Sequence, residues 1–169
     1  MQEILFKTNR LIVRKWIDSD LSMIQKIYGD TDAMRWVGDG KAITFEESKS
    51  WLKVTYKNYD TRGYGMYTVQ ISSTLEIVGF CGIVHPHNQI EAEIKYAFSR
   101  EHWGKGIATE AVVGLINYGK QVFGLKKFIS TIAPENIASE RVLLKVGMTP
   151  GELYQDDEGL PTRRFYLHA

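Results

Sequence analysis

Arg100-Glu101-His102-Trp103-Gly104-Lys105-Gly106-Ile107-Ala108-Thr109-Glu110-Ala111 decides the reading of this chain. Two glycines stand directly before a run whose apolar residues Ala108, Ala111, Val112, Leu115 and Val122 recur at helical spacing, with Gly124 as a C-terminal stop. An apolar-polar alternation, Ile90 to Phe98, precedes them and reads as a strand. The order is therefore strand, glycine loop, helix. A helix start leaves backbone N–H groups unpaired at the positive end of the macrodipole, and glycine lets an anion reach them without a β-carbon in the way. Such a junction suits a nucleotide or coenzyme phosphate.

Spacing separates the phosphate-binding possibilities. The ATP loop requires Lys followed by Ser or Thr, whereas Lys105 is followed by Gly106. A dinucleotide fingerprint asks for a small residue where Thr109 stands and for an acidic residue closing a following parallel strand, which the sequence lacks. What remains, Trp103-Gly104-Lys105-Gly106-Ile107-Ala108, resembles motif A of the GNAT acetyltransferase superfamily, Gln/Arg-x-x-Gly-x-Gly/Ala, with Trp in the first position. That departure, followed by Ala-Thr-Glu-Ala, is similar to the branch of bacterial ribosomal-protein N-terminal (alanine/serine) acetyltransferases. The resemblance extends over almost the whole chain: Thr8 to Arg14 resembles the opening strand, Ile77 to Gly82 the third, and Asn136-Ile137-Ala138-Ser139 with Lys145-Val146-Gly147-Met148 the closing motif, Met replacing the usual Phe.

The 169 residues are enough for one domain, 1–169, with a full core. A net charge of +1, with acids and bases interspersed, provides no basic stripe, so no nucleic-acid partner is expected. The single cysteine, Cys81, cannot form an internal disulfide, and its apolar strand predicts a buried thiol in a reducing compartment. Met1 to Lys7 lacks a signal-peptide pattern and no segment reaches bilayer-spanning length, so a cytoplasmic protein without membrane partners is expected. The histidines His85, His87, His102 and His168 follow no ligand spacing, and no metal is expected.

Periodicity predicts strands at about 9–15, 64–71, 76–84, 90–98, 127–132, 149–154 and 163–167, and helices at about 19–28, 44–62, 106–123 and 136–146. Thr44 with Glu47 forms a capping-box pattern and Asn136 an N-cap. The predicted fold is α/β (α+β): a central mixed, mostly antiparallel, splayed sheet of about seven strands flanked by about four helices.

The resemblance implies that Trp103, Gly104, Lys105, Gly106, Ile107, Ala108 and Thr109 cradle the pyrophosphate of acetyl-CoA, and that the backbone at Phe98 and Arg100 bonds the pantetheine arm as an added strand. The Phe98 N–H is also a candidate oxyanion donor. Asn136 and Ser139 complete the cofactor set. The family often places a Tyr near the sulfur where this chain has Leu143; Ser139 is the replacement this branch implies, although Ser is common in a first helical turn anyway. For the general base, Glu93 shares a strand face with Glu91 and Lys95, a pattern that equally describes a solvated polar face. His85 is the rival. Arg35, Trp36, Tyr64 and Tyr67 are candidate acceptor-site residues, or core and rim.

The function implied is an acetyl-CoA-dependent N-acetyltransferase that moves acetyl to a primary amine by direct attack in a ternary complex. The acceptor stays open between a protein N-terminal α-amine, a polyamine, an amino acid and an aminoglycoside, and a homodimer is compatible with this reading. The competing class is a CoA-binding sensor or interaction module without catalysis, for which Leu143 is the motive.

Overall fold

The alternating segments pair into one eight-stranded sheet in the computed structural model, which describes residues 2–37 and 39–168. The strands are β1 (Ile4–Lys7), β2 (Leu11–Lys15), β3 (Met66–Ile71), β4 (Ile77–Val84), β5 (Glu93–Phe98), β6 (Lys127–Ile132), β7 (Thr149–Gln155) and β8 (Pro161–His168). The helices are α1 (Leu21–Tyr28), α2 (Thr31–Met34), α3 (Phe45–Arg62), α4 (Ile107–Phe123) and α5 (Ile137–Lys145). Strand order is β1-β2-β3-β4-β5-β6-β8-β7, antiparallel except where β5 meets β6. That parallel pairing has a register of one pair, Glu93 with Ile129, and beyond it the strands diverge. The mixed, splayed α/β architecture expected from the sequence is present, with one strand (β1) and one four-residue helix (α2) more.

Alternation sends side chains into two cores. Leu11, Val13, Cys81, Ile83 and Ile94 pack with Ala111, Val112, Leu115 and Leu143 of α4 and α5. Phe80 instead joins Trp16, Ile24, Ile27, Tyr28 and Leu52 of the α1–α3 layer. Val122, expected on the core face of α4, is exposed, and Ile90 lies outside β5 in solvent.

Local chemistry sets the helix ends. Thr44 and Glu47 form the reciprocal capping box, and Asn136 Oδ1 accepts from the Ser139 N–H at 3.1 Å. Asp30 caps α2, its Oδ1 accepting from the N–H groups of Asp32 and Ala33. Arg14 is buried in a bidentate pair with Asp20, both contacts 2.8 Å, with Thr68 and Gln70 bonded to the same groups. Deleting one member of such a pair costs about 3–5 kcal/mol, because the other charge is left buried.

Candidate active site

Gly104 and Gly106 have φ of +72° and +75°, the left-handed region that glycine enters without steric cost. No protein atom lies within 4 Å of where a Gly104 Cβ would stand, and only Arg10 Nη2, at 3.4 Å, is near that of Gly106. Protein packing therefore does not fill this space, and the N–H groups opening α4 face an open cradle. This geometry fits a bound pyrophosphate. Ile107, Ala108 and Thr109 follow on the first turn.

The cradle opens into a cavity of about 880 Å³ at the divergence of β5 and β6. One wall is Tyr96, Ala97 and Phe98; α2 and the residues after it, Asp32 to Val37, form a second; the start of α5, Glu135 to Ser139 with Arg141, Val142 and Lys145, forms a third. Links tie the walls together. Arg100 Nε lies 2.6 Å from Asp30 Oδ2, Arg100 Nη1 3.5 Å from Asp32 Oδ2, and Asn136 Nδ2 donates to the Trp36 carbonyl at 3.5 Å. Burial raises the Asp30 carboxyl, but its bonds to Arg100 and to the α2 N–H groups more than offset this and hold it below the usual carboxylate range. A second cavity of about 770 Å³ runs along the outer face of α4 against β1, away from the diverging strands.

The ladder aims the β5 backbone at this cavity. Phe98 stands opposite Gly79 while the Ser99 N–H donates to the Val78 carbonyl, so the N–H and C=O of Phe98 point towards the splay. The carbonyl already accepts Trp103 Nε1–H at 2.8 Å. The N–H therefore faces the cavity for a substrate arm, the carbonyl keeps its second lone pair, and the indole bond ties Trp103 to the end of β5.

Most of the expected residues meet here: Arg35, Trp36, Phe98, Arg100, Trp103, Gly104, Gly106, Ile107, Ala108, Thr109, Asn136 and Ser139 line the cavity. Lys105 is exposed and turned away, its Nζ donating to the Glu101 carbonyl. Others are displaced from it. Tyr67 is fully buried between Tyr59 and Tyr118, and Tyr64 packs on Phe123 with its hydroxyl 2.9 Å from His85 Nε2, because β3 is covered on both faces. His85 Nδ1 is 3.0 Å from the Gln89 carbonyl, an acceptor, so the neutral ring carries its proton on Nδ1 and Nε2 receives the Tyr64 hydroxyl. Its lone pair is occupied. The Glu93 carboxylate is 3% exposed and bonded to Thr131 at 2.5 Å, Lys95 at 2.8 Å and Gln89 at 3.1 Å, fastening the single β5–β6 junction rather than facing the cavity.

Sequence reading passed over Tyr96, His102, Glu135, Arg141 and Lys145, all on the cavity wall. Arg141 and Lys145 carried a signal, the i,i+4 spacing that puts two cations on one face of α5. Tyr96 carried none, since an alternating strand reads Tyr as core.

With this geometry, the Acetyltransferase (GNAT) domain family matches residues 10–149. The chain belongs to this family. YkkB of Bacillus subtilis is 32% identical over 144 residues, 83% of either chain. The uncharacterized N-acetyltransferase YoaA of the same bacterium is 27% identical over 146 residues, 85% of this chain and 81% of YoaA. Two solved structures share the fold. RimL, a ribosomal L7/L12 alpha-N-protein acetyltransferase in complex with coenzyme A, aligns with TM-score 0.82 at 17% identity over 98% of both chains. The spermidine N-acetyltransferase from Vibrio cholerae, with CoA and spermine, aligns at 0.79 and 17% identity over 95% of this chain and 96% of that one. The protein is a GNAT acetyltransferase, and among its described residues no helix is long and apolar enough to cross a membrane.

Proposed function

We propose that residues 1–169 form one acetyl-CoA-dependent N-acetyltransferase acting on a primary amine, with direct attack in a ternary complex. The observation that carries this reading is the pair of left-handed glycines opening onto the cavity between diverging strands. The N–H groups from Gly104 to Thr109 hold the pyrophosphate, Arg141 and Lys145 contribute cationic charge nearby, and the free Phe98 N–H meets the acyl arm. Cys81 supports direct attack: it is fully buried, and burial pushes its thiol up to about 12, which leaves it without nucleophilic thiolate.

The acceptor we favour is a peptide α-amine. Charged side chains on the cavity wall are Arg35, Arg100, Arg141 and Lys145 against Asp32 and Glu135. With Asp30 and Asp32 held by Arg100, the described residues of this wall leave no cluster of unpaired carboxylates to hold a polycation, which favours a singly charged amine. With Glu93 and His85 turned away, the amine loses its proton to water in the open cavity. Leu143, the motive for a non-catalytic sensor, is fully buried in the core, while the hydroxyl-bearing Tyr96 and Ser139 line the cavity.

Free-thiol release from acetyl-CoA, measured with peptides bearing Ala or Ser N-termini, spermidine, amino acids and an aminoglycoside, tests both parts. Turnover with the peptides and none with spermidine is expected. Binding without turnover on any amine returns the sensor; turnover on spermidine alone overturns the acceptor.

A further inference from the structure

Trp36 and Ile137 are large apolar residues left 43% and 49% exposed, and both stand on the wall of the cavity between the diverging strands. Their surroundings hold them there. Met34 is buried and Val37 packs against the α1–α3 core, so the segment is anchored on either side of Trp36 while its indole stays outside. The Trp36 carbonyl accepts Asn136 Nδ2 at 3.5 Å, and Asn136 is the N-cap of the helix that Ile137 opens, so the two apolar side chains belong to segments joined directly. Single exposed apolar residues are ordinary on a surface; two on adjoining walls of one cavity make a patch that a ligand can cover. Ile137, Arg141 and Lys145 recur at i, i+4 and i+8, on one face of α5, and all three line the cavity. That face is graded. Lys145 also borders the second cavity beside Gly106 and Thr109, which puts the cationic end at the phosphate cradle and the apolar end ~12 Å away along the helix, beside Trp36. The charged neighbours at the apolar end, Arg35 and Glu135, are of opposite sign and leave no net charge there.

We propose that, on the peptide-acceptor reading above, Trp36 and Ile137 hold the side chain of the acceptor's second residue, which makes the substrate class peptides with a large aliphatic or aromatic residue after the N-terminal one. The phosphates take the cationic end of the α5 face and the acyl arm takes the β5 wall at Phe98, which leaves the apolar end to the acceptor. With the α-amine at the acyl carbon, the second Cα follows the reacting nitrogen by about 5 Å, so its side chain is still within the cavity. Closing Trp36 and Ile137 over an apolar side chain removes water from all three surfaces at once. A charged second residue would lose its water there and gain no net counter-charge, so it is disfavoured.

The test is kcat/KM for peptides Ser-Xaa, with Xaa Ile, Phe, Gly, Asp or Lys in an otherwise constant sequence, on wild type, Trp36→Ala and Ile137→Glu, with acetyl-CoA affinity by calorimetry. Wild type should prefer Ile and Phe over Gly by about ten- to hundredfold. Trp36→Ala should shrink that ratio by about tenfold; the ratio is the reading, since a general defect slows every peptide alike. Ile137→Glu puts a carboxylate in the first turn of α5, where the macrodipole favours it, and should raise the Lys peptide relative to the Ile peptide by about tenfold. A loosened fold cannot turn the preference towards one charge, so this variant decides even if Trp36→Ala misfolds. Equal kcat/KM across the peptides, or ratios unchanged in both variants, overturns the proposal alone. A changed preference between acetyl-CoA and butyryl-CoA with peptide ratios unchanged gives the patch to a longer acyl chain and overturns it too. Wild type that uses spermidine and no peptide removes the acceptor reading and the proposal with it; wild type that binds no acetyl-CoA, or transfers to no amine, removes the functional reading as well.

Discussion

Arg10 and Glu110, 100 residues apart in the chain, meet with Arg10 Nε 2.6 Å from Glu110 Oε2, and Arg10 Nη1 continues to the Lys105 carbonyl at 2.9 Å. Thr8 Oγ1 and the Arg10 N–H donate to the other Glu110 oxygen. The chain entering β2 thus holds both the first turn of α4 and the loop between the two glycines. Glu110→Ala should weaken acetyl-CoA binding by about tenfold through a loosened loop, with catalysis on bound substrate little changed. An unchanged dissociation constant means that the loop holds its shape unaided.

The same contact has a pH signature. Burial raises the Glu110 carboxyl, but hydrogen bonds from Thr8 and Arg10 overcome this and hold it below the ordinary glutamate range. A group lowered on folding contributes stability above its unfolded pKa and loses it as pH falls through the folded one. Acetyl-CoA affinity should therefore show no Glu110 contribution to its pH dependence between about pH 5 and 8, and should weaken only in acid below about 4.3. Calorimetry across that range, on wild type and Glu110→Gln, checks the sign.

Gly106→Val puts a branched side chain at a φ of +75°, where phosphate must approach. The left-handed backbone costs about 1–3 kcal/mol, which a folded domain can absorb. Acetyl-CoA binding should fall by more than about a hundredfold, or ~2.7 kcal/mol, while circular dichroism stays native. Normal binding by the folded variant ends the cradle assignment.

Glu93 is the counter-charge of Lys95 and the tie between β5 and β6. Glu93→Gln should lower stability by at most about 1 kcal/mol, since Lys95 is half-exposed and water takes up its charge, and leave kcat within a few fold. A loss of about 10²–10⁴ in kcat at native stability would instead make Glu93 the general base.

Ser139 contributes its N–H to the Asn136 cap, so its side chain is not the cap. Ser139→Ala should therefore leave the melting temperature nearly unchanged and slow acetyl transfer about tenfold, in keeping with a hydroxyl on the cavity wall that supports the leaving thiolate. Loss of stability with a normal rate would reduce Ser139 to a helix-start residue.

What the sequence determined by itself was local. Gly104 and Gly106 before a run of helical period, the Thr44–Glu47 box, the Asn136 cap and the Gly124 stop each depend on residues within a few positions, so spacing alone identified strand, glycine loop and helix. Tertiary structure decided the rest. Period-two alternation says which residues share a face of a strand but not what covers that face, so Tyr64 and Tyr67 stayed open between acceptor site and core, and Glu93 between general base and polar face, until helices and strands packed over them, while Tyr96 gave no signal until β6 diverged from its strand. The tie from Arg10 to Glu110 and the bridge from Asn136 to Trp36 each span about a hundred positions, and no local propensity encodes a contact made only when the sheet closes around α4 and α5.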